Sequence, residues 1–308
     1  MSDELKLEPL PHDPHGSAAD EPPISTDRRK VFFGLFVFPM VIAVTMAILL
    51  SGIVLLTRED ETPEALITAI KTGAPSKRWQ KAYELSNELN REGGMLRSSG
   101  IMNEIVHILN DPERYDAKTR AYMAIALGRF RNEQAHAALR AALNKVDEAE
   151  DPKLTLFLMW SLAGYQNSDD AKEIQRFLQS QHDDLRKTAA YVLGVLNDKQ
   201  VIRDLERALE DQTIDVRWNA ALSLARLGSN SGKEILFQML DRNRLKSVNG
   251  LKDTEIEQVM VNAAKALNLI FDEQAENVLK PISQTDPSLK VREAALNTLS
   301  QNQKLIYE

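Results

Sequence analysis

The side chains that do metal or nucleophilic chemistry are scarce and scattered in this chain of 308 residues, which has five histidines and no cysteine. The absence of cysteine excludes disulfides, thiol catalysis, iron–sulfur clusters and cysteine zinc sites together. His12 and His15 fall in a proline-rich stretch with no further ligand types around them, so they read as solvated residues. His107 and His136 fall on separate helical segments, beside an apolar face rather than on it, as surface or boundary residues. The sequence holds no G-x-x-x-x-G-K phosphate loop, no H-E-x-x-H pair of helical zinc ligands and no G-x-S-x-G nucleophile turn. The expectation is a protein that is not an enzyme and has no cofactor or metal, so the residues of interest are those that bind.

Aromatic residues give the first binding pattern. Trp79 with Tyr83, Leu156 with Trp160, and Trp218 with Leu222 stand four residues apart, which is one turn along one helical face. Tyr191 takes the same place after Lys187. A row of this kind on the outward side of successive helices is what a partner groove looks like. Rings buried between neighbouring helices would show the same spacing. Basic residues give the second pattern: Arg242, Arg244, Lys246 and Lys252 crowd the segment 241–252 of a chain whose net charge is -7. Such a loop suits an acidic partner or lipid headgroups, while the overall acidity argues against nucleic acid.

The elements that position these residues follow from the charge and hydropathy pattern. Residues 1–30 hold seven acidic and four basic residues and five prolines without apolar periodicity, so this tail is expected to be disordered. Residues 31–57 contain no Asp, Glu, Lys, Arg or His. A run of that length suffices for a transmembrane helix and exceeds the apolar core of a secretory signal peptide. Arg28, Arg29 and Lys30 on its entry side against Arg58 on its exit side place the N-terminus inside and the remainder outside, a location in the inner or cell membrane with the rest periplasmic. Ala43, Ala47 and Ser51 form a small-xxx-small stripe where another span, or a second copy of this one, could pack.

From residue 58 to 308 the pattern is helical, all-α and repetitive. The position of Leu224 recurs as Leu85, Leu127, Leu162, Leu193, Leu267 and Leu299, with spacings of 42, 35, 31, 31, 43 and 32 residues. Arg217 has equivalents in Arg78, Arg120, Arg186 and Arg292, and Ala221 in Ala82, Ala124, Ala190 and Ala264. Val216, Ala220, Leu224 and Leu227 share one helical face. First helices are expected near Pro63–Lys71, Ile101–Leu109, Gln134–Leu143, Ala171–Leu178, Lys199–Leu209, Lys233–Leu240 and Asp272–Leu279, with Pro112, Pro152 and Pro287 in first helical turns. About seven antiparallel helix pairs result, none able to cover its own apolar face alone.

These motifs resemble the HEAT-repeat family, in its phycobilin-lyase-type short form. Asp184-Leu185-Arg186 with Ala189-Ala190, Asp215-Val216-Arg217 with Ala220-Ala221, and Val291-Arg292 with Ala294-Ala295 are the closest matches, and the likeness covers roughly residues 63–303. The resemblance implies a right-handed α-α superhelix, with second helices on its concave face. It also implies a ladder linking neighbouring repeats, formed here by Asp184, Arg186, Asp215, Arg217 and Arg292. Some members of the family are di-iron hydroxylases built on His-Glu pairs; no histidine here precedes a glutamate. The function expected is a membrane-anchored scaffold that holds protein partners, as a subunit of a membrane complex. The alternative is a lyase or other ligand-handling protein.

Overall fold

The computed structural model describes residues 36–56, 62–90 and 98–306, and the tail 1–30 lies outside the described residues. Two units are present, residues 1–60 and residues 61–308. In the first, helix α1 spans Phe38–Leu56. Phe38, Met40, Ile48 and Leu49 lie exposed on different sides of it, so its apolar surface runs all round. Among the described residues, however, no helix is long and apolar enough to cross a membrane. The part of α1 with described side chains ends at Gly52 and is about 22 Å long, against a hydrocarbon core of about 30 Å. The expected span over 31–57 is corrected to that extent, since its outer parts lie outside the described residues. Ala43, Ala47 and Ser51 are exposed on α1.

The second unit is all helix among its described residues, arranged as seven pairs. They are α2 (Pro63–Thr72) with α3 (Pro75–Glu88), α4 (Ser99–Leu109) with α5 (Ala117–Leu127), and α6 (Glu133–Lys145) with α7 (Pro152–Ala163). Next come α8 (Ala171–Gln175, extended by a 3-10 turn) with α9 (Asp183–Leu196), and α10 (Ile202–Ala208) with α11 (Ile214–Arg226). The sixth pair is α12 (Lys233–Leu240) with α14 (Asp253–Leu267), separated by the short α13 (Arg242–Lys246), and the seventh is α15 (Glu273–Thr285) with α16 (Leu289–Ile306). Side-chain caps start many of these helices: Thr62, Asp116, Asn132 and Asp272 each accept from a backbone N–H three residues on. Pro63, Pro75 and Pro152 occupy first turns, where a missing donor does no harm. Pro112 and Pro287 do not; they sit in the loops before α5 and α16.

The seven leucines of the repeat column are all buried. They form the seam between first and second helices, where each buried side chain is worth about 2 kcal/mol. Second helices also pack directly on one another, α3 on α5, α5 on α7, α7 on α9 and α9 on α11. Small residues permit the approach. A Cβ on Gly194 of α9 would stand 2.2 Å from Ser223 Oγ of α11, and that hydroxyl donates to the Ala190 carbonyl at 2.7 Å.

A repeated turn ends four successive second helices. Arg131, Gln166, Asn197 and Gly228 hold equivalent positions, twelve residues after the first seam residue of their helices. All four have left-handed backbones, with φ of 52°, 54°, 57° and 76°. Only Gly228, and to a lesser degree Asn197, is a residue type that favours this conformation.

The buried side chains divide into two clusters that meet in α11. Val216, Ala220 and Leu224 belong to the first, which extends back to Leu66. Trp218, Ala221 and Ala225 belong to the second, which extends to Leu299. The division precedes the sixth pair, which carries the insertion with α13.

Candidate functional site

The outward faces of the second helices form a row of aromatic rings. Trp79 of α3 stacks on Tyr122 of α5 with ring centroids 6.5 Å apart, Tyr83 meets the same Tyr122 edge-on at 5.4 Å, and Tyr122 lies 5.9 Å from Phe157 of α7. Trp160 then meets Tyr191 of α9 at 5.0 Å. Tyr83 is 48% and Trp160 47% exposed, while Leu156, Tyr191 and Leu222 are half-buried along the same face. Trp218 departs from the expectation: at 8% exposure it packs into the second buried cluster and offers no ring to solvent.

Tyr122 and Phe157 were not singled out in the sequence. Phe157 follows the first counted slot, Leu156, by one residue, and Tyr122 holds the same place on α5; on a 3.6-residue helix that position adjoins the face. Four residues beyond the second slot stand Arg226, in the last turn of α11, and Arg129, just past the end of α5. Cations stand over the rings: Lys118 Nζ 3.0 Å from the Trp79 ring centre, Lys153 Nζ 5.9 Å from Phe157, Arg131 5.8 Å from Tyr165 and Arg226 5.0 Å from Tyr191.

Two cavities open along this row. One, of about 400 Å³, lies between α5 and α7 with Phe157, Trp160, Arg129 and Arg131 in its wall. The Arg131 guanidinium lies against Gly164, where a Cβ would come within 3.0 Å of it. The other, of about 370 Å³, lies between α11 and α14 with Tyr191, Leu222, Arg226 and Lys265 in its wall. Neither lining contains a carboxylate.

The arginines of the second-helix column work elsewhere. Arg186 forms a two-pronged pair with Asp211 at 2.7 and 3.1 Å, and donates to the Ser180 carbonyl at 2.9 Å. The hydrogen bond to Asp211 raises the Arg186 pKa. Burial alone would push the Asp211 carboxyl up, but Arg186 and the Thr213 N–H hold it below its ordinary value. Arg120 repeats the arrangement with Asp151 at 3.1 Å and the Leu109 carbonyl at 2.9 Å. Arg217 and Arg292 donate to the loop carbonyls of Asp211 and Asp286, at 2.6 and 2.5 Å. The acidic partners are therefore loop aspartates rather than the helix-start residues expected. Asp184 is exposed and pairs with Lys187 of its own helix at 2.7 Å. Asp215 supplies only a backbone carbonyl, to Asn219 at 2.8 Å.

The basic insertion divides in the same way. Arg242 is half-buried and grips Asp286 with contacts at 3.0 and 2.7 Å, so it joins the sixth pair to the seventh. Leu245 is buried beneath α13, while Arg244 and Lys246 are exposed.

One buried polar cluster corrects the expectation for His136. His136, 2% exposed rather than at the surface, has its Nε2 2.8 Å from Asp170 Oδ2. Arg140 Nε lies 3.2 Å from the other carboxylate oxygen, and Arg140 also pairs with Glu173. Burial raises the Asp170 pKa, against the opposing pull of His136 and Arg140. The cluster joins α6 to the start of α8, and the His136 ring packs on Tyr165 at 4.8 Å, so it acts as a structural clamp between neighbouring repeats. Among the described residues no group of three or more potential ligands is arranged to hold a metal ion.

Comparison with known proteins supports the repeat reading. The family described as HEAT repeats matches residues 171–251. The PBS lyase HEAT-like repeat matches residues 119–145. The chain carries HEAT repeats. Among solved structures, this HEAT-repeat chain is similar to the complex of CpcE and CpcF of phycocyanin lyase from Nostoc sp., at 19% identity and a TM-score of 0.51 over 78% of this chain and 94% of that one. It is also similar to human deoxyhypusine hydroxylase in complex with glycerol, at 14% identity and a TM-score of 0.35 over 80% and 97% of the two chains. A designed armadillo repeat protein aligns at 15% identity and a TM-score of 0.37 over 78% and 99%. The first of these likenesses concerns the fold alone. No curated protein matches.

Proposed function

We propose that this HEAT-repeat chain is a membrane-anchored scaffold whose second helices dock protein partners, in the manner of a subunit of a membrane complex, with no catalytic step of its own. The observation that carries the docking half is the ring row on α3, α5, α7 and α9, with Tyr83 and Trp160 left about half open to solvent. Large exposed rings are costly on a surface that meets nothing. The anchor rests on the uncharged run 31–57 and on the apolar side chains exposed all round α1. The basic residues before that run favour a cytoplasmic N-terminus and a periplasmic repeat unit. Tethering would raise the effective concentration of anything held beside the membrane, so modest groove affinity suffices.

The expected result is that Trp160→Ala, assayed by capture from a mild-detergent extract, lowers partner recovery about tenfold while shifting the melting temperature by under 2 °C, since an exposed ring contributes little to folding. Equal loss of binding and stability would mean that the ring is core. Protease added to spheroplasts, whose outer membrane has been opened, should remove the C-terminal epitope; protection there would reverse the topology. The reading as a lyase or other ligand-handling protein is favoured by the cavity of about 400 Å³ beside Phe157 and Trp160. Saturable quenching of tryptophan fluorescence by a small pigment, lost in Trp160→Ala, would establish it in place of the scaffold.

A further inference from the structure

The aromatic row and its cations together restrict what can lie on this face. Arg131, Arg226 and Lys265 are exposed, Lys153 is exposed beside Phe157, and the two cavity walls contain four cations and no carboxylate. This occurs in a chain with 45 acidic against 38 basic residues, so the face runs against the charge of the whole. Two carboxylates near it are already paired: Asp184, at the start of α9, with Lys187, and Glu84, next to Tyr83 in the third turn of α3, with Lys81. The cations are also not arranged as loose solvated charges. Arg226 and Lys118 are laid over rings, and the Arg131 guanidinium lies in the space that Gly164 leaves open.

Length decides between a small ligand and a chain. From Trp79 on α3 to Lys265 on α14 the face crosses six second helices. With neighbouring axes about 8–10 Å apart, that is a track of roughly 40–50 Å, far beyond a small molecule. An extended peptide of roughly 12–15 residues spans it.

We propose that the second-helix face binds an extended acidic segment of a partner protein, its aliphatic or proline side chains on the rings and its carboxylates on Arg131, Arg226 and Lys265. The proposal rests on the docking role above and names the chemistry of what docks. Two steps of cavity and cation, between α5 and α7 and between α11 and α14, give the segment two anchoring points, with the Trp160–Tyr191 contact as the ridge between them.

The test uses the full chain held in lipid nanodiscs and a displayed library of random 16-residue peptides. The enriched pool is expected to carry a net charge more negative than the starting pool. One acidic peptide from it, labelled with a fluorophore, should bind at least tenfold more weakly to the Arg131→Glu, Arg226→Glu double variant and more weakly still as salt rises. Lys265→Glu, on an exposed side chain, gives a second variant whose fold is checked by its melting curve. A pool without acidic enrichment, no retained peptides, or an affinity indifferent to these reversals would overturn the proposal. Capture of the natural partner that survives the charge reversals but fails with Trp160→Ala would overturn the acidic occupant and leave the docking face standing. Survival in both would remove the face as well.

Discussion

At the scale of single residues, the decisive interaction is the one Arg186 makes with Asp211. Both side chains are nearly buried, and the guanidinium satisfies a carboxylate in the next repeat and carbonyls of its own loop with one planar group. Removing one member leaves the other charged and enclosed, a loss of about 3 kcal/mol. The pH dependence follows from the direction of the shift. Asp211 is held below its unfolded value, so its contribution is complete above about pH 4 and disappears as pH falls through the lower folded value. Urea unfolding of Asp211→Asn should therefore show the full deficit at pH 7 and a smaller one near pH 2; the same deficit at both would exclude the ion pair as its source. Asp170 has the opposite sign. Burial raises its pKa, so stability declines as pH rises from the unfolded toward the folded value. The arginine column was legible in the sequence because the repeat fixes its place. Its acids were not, because Asp151 and Asp211 sit in loops of unequal length, where the register that identifies a helix position is lost.

At the scale of elements, the helix pairs were readable because each has a period, a cap and a leucine whose burial is demanded by its neighbours. First helices appear within one or two residues of expectation over 63–72 and 233–240. The aromatic row was half readable. Counting two positions per helix found Trp79, Tyr83 and Trp160 but passed over Tyr122 and Phe157, and it placed Trp218 outside because spacing cannot report how closely α14 approaches. The turn after the second helices shows the same limit. Asn197 and Gly228 advertise a left-handed residue, whereas Arg131 and Gln166 adopt that conformation without the composition for it. At Gln166, which is exposed, nothing compensates. Gln166→Gly should stabilise the protein by about 1 kcal/mol and raise its Tm by 2–4 °C. The same change at Arg131 removes a side chain from the cavity wall, so it should gain stability and lose binding. A gain of binding there would contradict the placement of its guanidinium.

At the scale of the molecule, a stack of pairs is held by nearest neighbours, and its weakest junction sets how it opens. In the unit 61–308 that junction lies after α11. The two buried clusters part there, and α11 meets α14 less extensively than it meets α9. The insertion packs α13 against α12 and α14 of the sixth pair, with Leu245 buried and Arg242 holding Asp286 of the seventh at 2.7 Å. Neither residue belongs to the repeat pattern, so the junction could be located in the sequence only as an unusually long spacing, and its basic residues were legible as charge but not as a clasp. Arg242→Ala should therefore act regionally. Amide exchange is expected to quicken by about tenfold or more in α14, α15 and α16, while protection in α5, α7 and α9 stays unchanged. A uniform loss across all seven pairs would mean that the unit opens as one cooperative body and that the division between its two cores has no energetic consequence.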